Sequence, residues 1–154
     1  VDLGIDWERK AAGPFNDRDV GKIEKALVSE HGIISEVKQV KDKKYIKYKA
    51  TQNTTVNNFL NDFNNQEKKE IKKWVKWFKP FTTDKMELVA TIYAAWNDML
   101  IKGEVVTMRK IISEVRDNWA PTKRKYSADR IRTEVNFMKQ NGIEPKGFGY
   151  STVA

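Results

Sequence analysis

The run Asp84-Lys85-Met86-Glu87-Leu88-Val89-Ala90-Thr91-Ile92-Tyr93-Ala94-Ala95-Trp96-Asn97-Asp98-Met99-Leu100-Ile101 decides how the rest of the chain is read. Leu88, Val89, Ile92, Tyr93, Ala95, Trp96, Met99 and Leu100 recur at helical spacing and leave little of the circumference polar. Such a helix has to lie at the centre of a core. Asp84, with Glu87 three residues later, predicts a capping box in which an acid replaces the usual hydroxyl. Gly103 predicts where the helix stops.

Working outward toward the C-terminus, Thr107 predicts the cap of a second helix, with Ile111, Ile112, Val115 and Trp119 inward and Pro121 beyond its end. Ser127 caps a third, with Ile131, Val135 and Met138 inward and Asn141-Gly142 closing it. The tail Pro145-Lys146-Gly147-Phe148-Gly149-Tyr150 reads as flexible unless its two aromatics dock.

Working outward toward the N-terminus, Ile71, Trp74, Val75 and Phe78 mark a helix that Pro80 stops. Val56, Phe59, Leu60 and Phe63 mark a shorter one. The polar stretch Thr51-Gln52-Asn53-Thr54-Thr55 is the expected boundary between a module over 1–52 and another over 53–154. In the first module, Asn16 or Asp17 opens a helix carrying Val20, Ile23 and Leu27, which runs to about His31 and ends at Gly32. Ile33 to Val40 and Tyr45 to Ala50, joined by Lys41-Asp42-Lys43-Lys44, read as a β-hairpin. Residues 1–15 show no period, and Gly13-Pro14 breaks whatever precedes it. The expected fold is therefore mainly α with one N-terminal β-hairpin, an α+β helical bundle, with the two modules compatible with one compact domain.

Composition narrows the function. With 154 residues, 40% hydrophobic content, five Trp, five Tyr and seven Phe, the chain has enough apolar surface to fold. A formal net charge of +8 is the electrostatic footprint of a polyanion binder. The absence of Cys excludes disulfides, thiolate metal sites and cysteine nucleophiles, and suits a reducing compartment. No apolar run approaches the roughly 20 residues of a membrane span. A cytoplasmic protein with no membrane partner and no cofactor is expected.

Three Lys and Arg clusters carry the excess charge. The hairpin holds Lys38, Lys41, Lys43, Lys44, Lys47 and Lys49, and the 71–78 helix region holds Lys68, Lys69, Lys72, Lys73, Lys76 and Lys79. The third cluster is Lys123, Arg124, Lys125, Arg130 and Arg132. Phosphate binding draws on such groups because each neutralised phosphate releases condensed counterions. The middle cluster reads as a solvated face opposite Trp74 and Phe78. The third lies in a loop and the first turns of a helix, where a groove-inserting helix meets bases and phosphates.

The order from Glu87 to Gly149 (core helix, capped second helix, basic connector, third helix, then Asn141-Gly142-Ile143) resembles a winged helix-turn-helix DNA-binding module. It departs from that pattern in a long connector, about Ala120 to Tyr126, and in lacking a clear strand pair after Ile143. The resemblance implies that the third helix faces the groove through Arg130, Arg132, Thr133 and Asn136. Trp96-Asn97-Asp98 and Gly142-Ile143-Glu144-Pro145-Lys146-Gly147 are also similar to accessory helical modules of bacterial restriction and helicase-type proteins.

Catalytic signals are thin. The single His31 sits at a helix C-terminus, where it can cap carbonyls, and no Gly-x-Ser-x-Gly elbow or Gly-rich phosphate loop is present. Glu36-Val37-Lys38 resembles the acid-x-Lys pair of metal-dependent nucleases, but lacks the second carboxylate that a metal would need. The expected function is non-catalytic binding of DNA, with RNA second, through Lys123, Arg124, Lys125, Arg130, Arg132, Thr133 and Asn136, joined by Lys41, Lys43 and Lys44. The rivals are an interaction or assembly module of a larger restriction, helicase or viral machine and, last, a metal-dependent nuclease.

Overall fold

The computed structural model describes residues 7–40, 43–51, 61 and 63–153, with only the backbone of Val40, Lys43 and Tyr45. In chain order the elements are β1 (Glu8–Lys10), β2 (Gly13–Phe15), α1 (Asp17–Glu30), β3 (Ile33–Val40), β4 (Lys43–Ala50), α2 (Asn65–Phe78), α3 (Thr83–Ile101) and α4 (Met108–Ser113). A π-helical turn at Glu114–Trp119 continues α4, a 3-10 turn follows at Pro121–Lys125, and α5 (Ala128–Gln140) ends the set. The hairpin tip at Lys41-Asp42, most of the expected boundary at 51–55, and Val56, Phe59 and Leu60 lie outside the described residues.

The elements form two compact units, Val1–Asn16 with Phe78–Ala154, and Asp17–Trp77. This differs from a division at residue 52 in two ways: the second unit runs on to Trp77, and the first sixteen residues belong with the C-terminal half. The reason for the latter is a hairpin that the sequence pattern does not show. β1 pairs antiparallel with β2, Glu8 opposite Phe15 and Lys10 opposite Gly13. Strands of three residues carry too few side chains for an alternation to be visible. The Trp119 Nε1 donates to the Lys10 carbonyl at 2.9 Å, and the Arg9 guanidinium lies 4.6 Å from the centre of the Trp119 ring. Gly13 has φ +133° and packs against Thr91 and the Glu87 carbonyl, a conformation that L side chains rarely adopt.

The core lies entirely in this unit among the described residues. Leu88, Val89, Ile92, Ala95, Trp96 and Met99 of α3 are buried, as are Ile111, Val115 and Trp119, then Ile131, Val135 and Met138 of α5, and Ile143. Each such aliphatic side chain contributes about 1.5–3 kcal/mol by leaving water. The helical spacing identified most of this set, but of the residues it placed inward Tyr93 is 38% exposed, and Leu100 and Ile112 are half-buried. The caps at Thr107 and Ser127 form as expected, each side chain accepting from the backbone N–H three residues on. The cap of α3 does not fall on Asp84. Thr82 accepts from the Lys85 backbone N–H, and Asp84 and Glu87 turn to other partners. Among the described residues no strand pair follows Ile143, so the winged element is not formed there.

In the second unit, α1 is followed by an antiparallel β3–β4 ribbon with Ile33 opposite Ala50 and Val40 opposite Lys43. α2 opens on a reciprocal cap: Asn64 Oδ1 accepts from the Gln66 and Glu67 N–H groups, while Glu67 accepts from the Asn64 N–H. Neither α1 nor α2 carries a buried residue.

Candidate nucleic-acid interface

The loop entering α5 is where the sequence pattern places the main contacts, yet Lys123 turns inward, and Lys125 and Arg130, though exposed, pair with acids of the chain itself. Lys123 is fully removed from solvent, and its Nζ donates to Glu87 Oε1 at 2.7 Å. It therefore cannot reach a phosphate, which corrects its assignment as a surface contact. Lys125 Nζ lies 3.2 Å from Asp84 Oδ1 and 3.4 Å from Glu87 Oε1, and Arg130 Nη2 lies 2.7 Å from Asp84 Oδ2. The Tyr126 hydroxyl, on a buried ring, donates into the same pair of carboxylates. Two acids one helical turn apart on α3 thus hold three cations and a phenol.

The electrostatics follow from that arrangement. Burial pushes the Asp84 and Glu87 carboxyls up, but their hydrogen bonds to Tyr126, Lys125, Arg130 and Lys123 leave both below their ordinary range. Burial pulls the Lys123 ammonium down against the opposing pull of Glu87. The hydrogen bond to Tyr126 and the two carboxylates raise Lys125, and burial carries the Tyr126 phenol to about 12.

Of the remaining residues in that cluster, Arg132 is ion-paired with Asp129, and the Thr133 hydroxyl donates to the Asp129 carbonyl at 2.9 Å. Arg124 and Asn136 are exposed.

The hairpin differs. Because cross-strand partners share a face, Ile34, Glu36, Lys38, Lys47 and Lys49 stand on one side of the ribbon, and Ile33, Ser35, Val37, Gln39, Lys44, Ile46, Tyr48 and Ala50 on the other. The Tyr48 hydroxyl donates to Glu24 of α1, so the second face is the one turned to that helix. On the first face Lys49 Nζ pairs with Glu36 Oε1 at 2.8 Å, which holds the Glu36 carboxyl below its ordinary range, with Lys38 and Lys47 adding to the effect. Lys38, Lys44 and Lys47 are exposed and have no ion-pair partner among the described residues. Lys41 and the Lys43 side chain lie outside those residues. Segment 17–77 carries fourteen Lys and Arg against nine Asp and Glu, so most of the net charge resides there.

Glu36, the acid of the acid-x-Lys pair, is engaged by Lys49, and among the described residues no three His, Asp or Glu side chains converge to hold a metal. The lysines of α2 are exposed apart from Lys68, which is half-buried.

No protein family, curated protein or solved structure matches the chain.

Proposed function

We propose that this chain is a nucleic-acid-binding protein, for DNA first and RNA second, without catalysis of its own, and that the β3–β4 ribbon meets the phosphate backbone. The observation that carries this reading is the ribbon's lysine face, with Lys38 and Lys47 exposed beside Lys49 and no acid paired to either among the described residues. Lys44 adds a fourth cation on the opposite face. Lys is a compact point charge without the planar fork of Arg, so this surface suits backbone contact rather than base readout. A two-stranded ribbon fits the roughly 12 Å major groove of B-form DNA, whereas the deep, narrow major groove of A-form RNA excludes it. Arg124, Lys125, Arg130 and Arg132 can add to the attraction, although three of them already answer acids of the chain itself.

The test is binding to a labelled random duplex across salt concentrations. Neutralisation of about four phosphates gives a slope of log affinity against log salt near −3.6. A flat dependence, or no binding below about 0.1 M salt, overturns the reading.

One observation favours a protein partner instead. Val37 and Ile46, directly opposite each other on the second face of the ribbon, are 70% and 54% exposed. An assembly module of a larger machine would bury that pair. Self-association that is lost on V37E, with no affinity for nucleic acid, selects this second reading.

A further inference from the structure

The C-terminal strap after α5 is pinned to α3 rather than loose. Asn97 Oδ1 accepts from the Gly147 N–H at 2.9 Å, and Asn97 Nδ2 donates to the Phe148 carbonyl at 2.9 Å. Further on, the Asp98 carboxylate accepts from the Thr152 N–H at 2.8 Å and from its hydroxyl at 2.5 Å. Gly147, at φ +73°, lies so close that an added Cβ would come within 3.1 Å of Leu100 Cβ. Between these ties the strap leaves its two large rings in water: Phe148 is 77% exposed and Tyr150 74%. Tyr93, one turn before Asn97 on the same face of α3, is the helix's exposed aromatic.

Such exposure is costly for a ring on a held backbone, where the chain could otherwise have folded it inward. Lys146, within the strap, and Lys102, next to the Ile101 backbone that Gly147 approaches, are exposed with no ion-pair partner among the described residues. Glu144 is the one acid of the strap. Two exposed rings that follow Lys146 on a strap whose Gly147 approaches the backbone beside Lys102 match a ligand that has both π-faces and negative charge.

We infer that the strap 144–153 is a stacking platform for the unpaired bases of single-stranded nucleic acid, with Phe148 and Tyr150 as the rings and Lys102 and Lys146 as the phosphate contacts. The inference rests on the nucleic-acid reading above but uses a different surface. Bases inside a duplex are already stacked on their neighbours and offer no face to these rings, whereas every unpaired base has one. A protein hot spot fits less well, since it needs a surrounding shell that excludes water, and here the rings stand among Lys146, Glu144 and glycines.

The experiment compares a labelled oligo-dT, an abasic strand of equal length and a duplex, using the wild-type chain and F148A/Y150A. The wild type should prefer oligo-dT over the abasic strand by roughly tenfold or more. The double variant should lose that preference, with duplex affinity within about twofold and thermal stability unchanged, since both rings are solvated. In an F148W chain, oligo-dT and not the abasic strand should quench the emission of the new indole. Equal binding of oligo-dT and abasic strand by the wild type, or a variant that loses duplex and single strand alike, overturns the stacking inference alone. Binding of none of the three overturns both readings. Loss of self-association in the variant, with oligo-dT affinity intact, makes the rings a protein contact and overturns the inference.

Discussion

Lys123 Nζ and Glu87 Oε1 lie 2.7 Å apart, the lysine wholly buried and the glutamate side chain 20% exposed. The pair joins the 3-10 turn before α5 to the first turns of α3, across 36 residues of sequence. Its two members are not equivalent. Glu87 also receives Tyr126 and Lys125, whereas Lys123 ion-pairs with Glu87 alone among the described residues.

Glu87→Leu should therefore destabilise more than Lys123→Met. Removing the acid strands a buried ammonium, a loss of about 3–5 kcal/mol. Removing the lysine leaves a carboxylate that still has two donors and some water, at about 1–2 kcal/mol. Urea denaturation midpoints order the two, and the double variant should recover part of the larger loss. Arg124→Ala, on an exposed side chain, should stay within about 0.5 kcal/mol. Equal effects from all three would show that the pair does not hold the turn.

The same acids set an acid limit. Asp84 and Glu87 are held below their ordinary values of 3.8 and 4.5, so their contribution is fully present above those values and is lost as pH falls through the lower folded-state ones. Melting temperature should hold steady above about pH 5 and drop below about pH 4. D84N/E87Q should be less stable at neutral pH and show a shallower drop. At the alkaline end the sign reverses. Tyr126, raised from 10.0 to about 12, contributes stability below pH 10 that disappears as pH rises through 12. Y126F removes that part of the alkaline loss.

Charge removal should separate the two basic regions. K38A/K44A/K47A is expected to make the duplex salt slope shallower by about 2.7, because three phosphates would keep their counterions, with the melting temperature unchanged. K125A/R130A is expected to cost less affinity and more stability, because those cations neutralise Asp84 and Glu87. The reverse pattern would return the interface to the loop before α5.

Arg9 should matter as much as any residue of the core. Its guanidinium pairs with Asp98 at 3.0 Å and Glu114 at 2.6 Å, and Asp98 is 2% exposed. Arg9→Ala is expected to cost about 1–3 kcal/mol, because Asp98 keeps its two bonds from Thr152, and Arg9→Lys to recover part of it. A chain lacking residues 1–16 should lose cooperative thermal unfolding in the unit formed with 78–154. A retained sharp transition there would reduce the N-terminal hairpin to decoration.

Magnesium or manganese should bring no cleavage of duplex, single-stranded DNA or RNA. Glu36 already pairs with Lys49 and faces Lys47 across the ribbon. Cleavage that Glu36→Gln abolishes, with the fold intact by circular dichroism, would establish a nuclease.

What the amino-acid order determines by itself is local. The stripe from Leu88 to Met99, the caps at Thr107 and Ser127, and the stops at Gly32, Gly103 and Gly142, all with positive φ, each depend on residues within a turn or two. The β3–β4 ribbon was legible for the same reason, from two runs rich in Ile, Val and Tyr joined by a short polar connection. Tertiary structure alone decided where the charges went. Asp84-x-x-Glu87 has the spacing of a cap, yet its partners lie 36 to 46 residues away, and Thr82 takes the cap instead. A lysine in a basic loop has the same sequence signature whether it meets phosphate or a buried carboxylate, so nothing near Lys123 marked it as internal. The Glu8–Phe15 hairpin was invisible for a different reason. Its strands are too short for a period, and what holds them, the indole of Trp119 and the carboxylates of Asp98 and Glu114, is supplied by chain ninety to more than a hundred residues away.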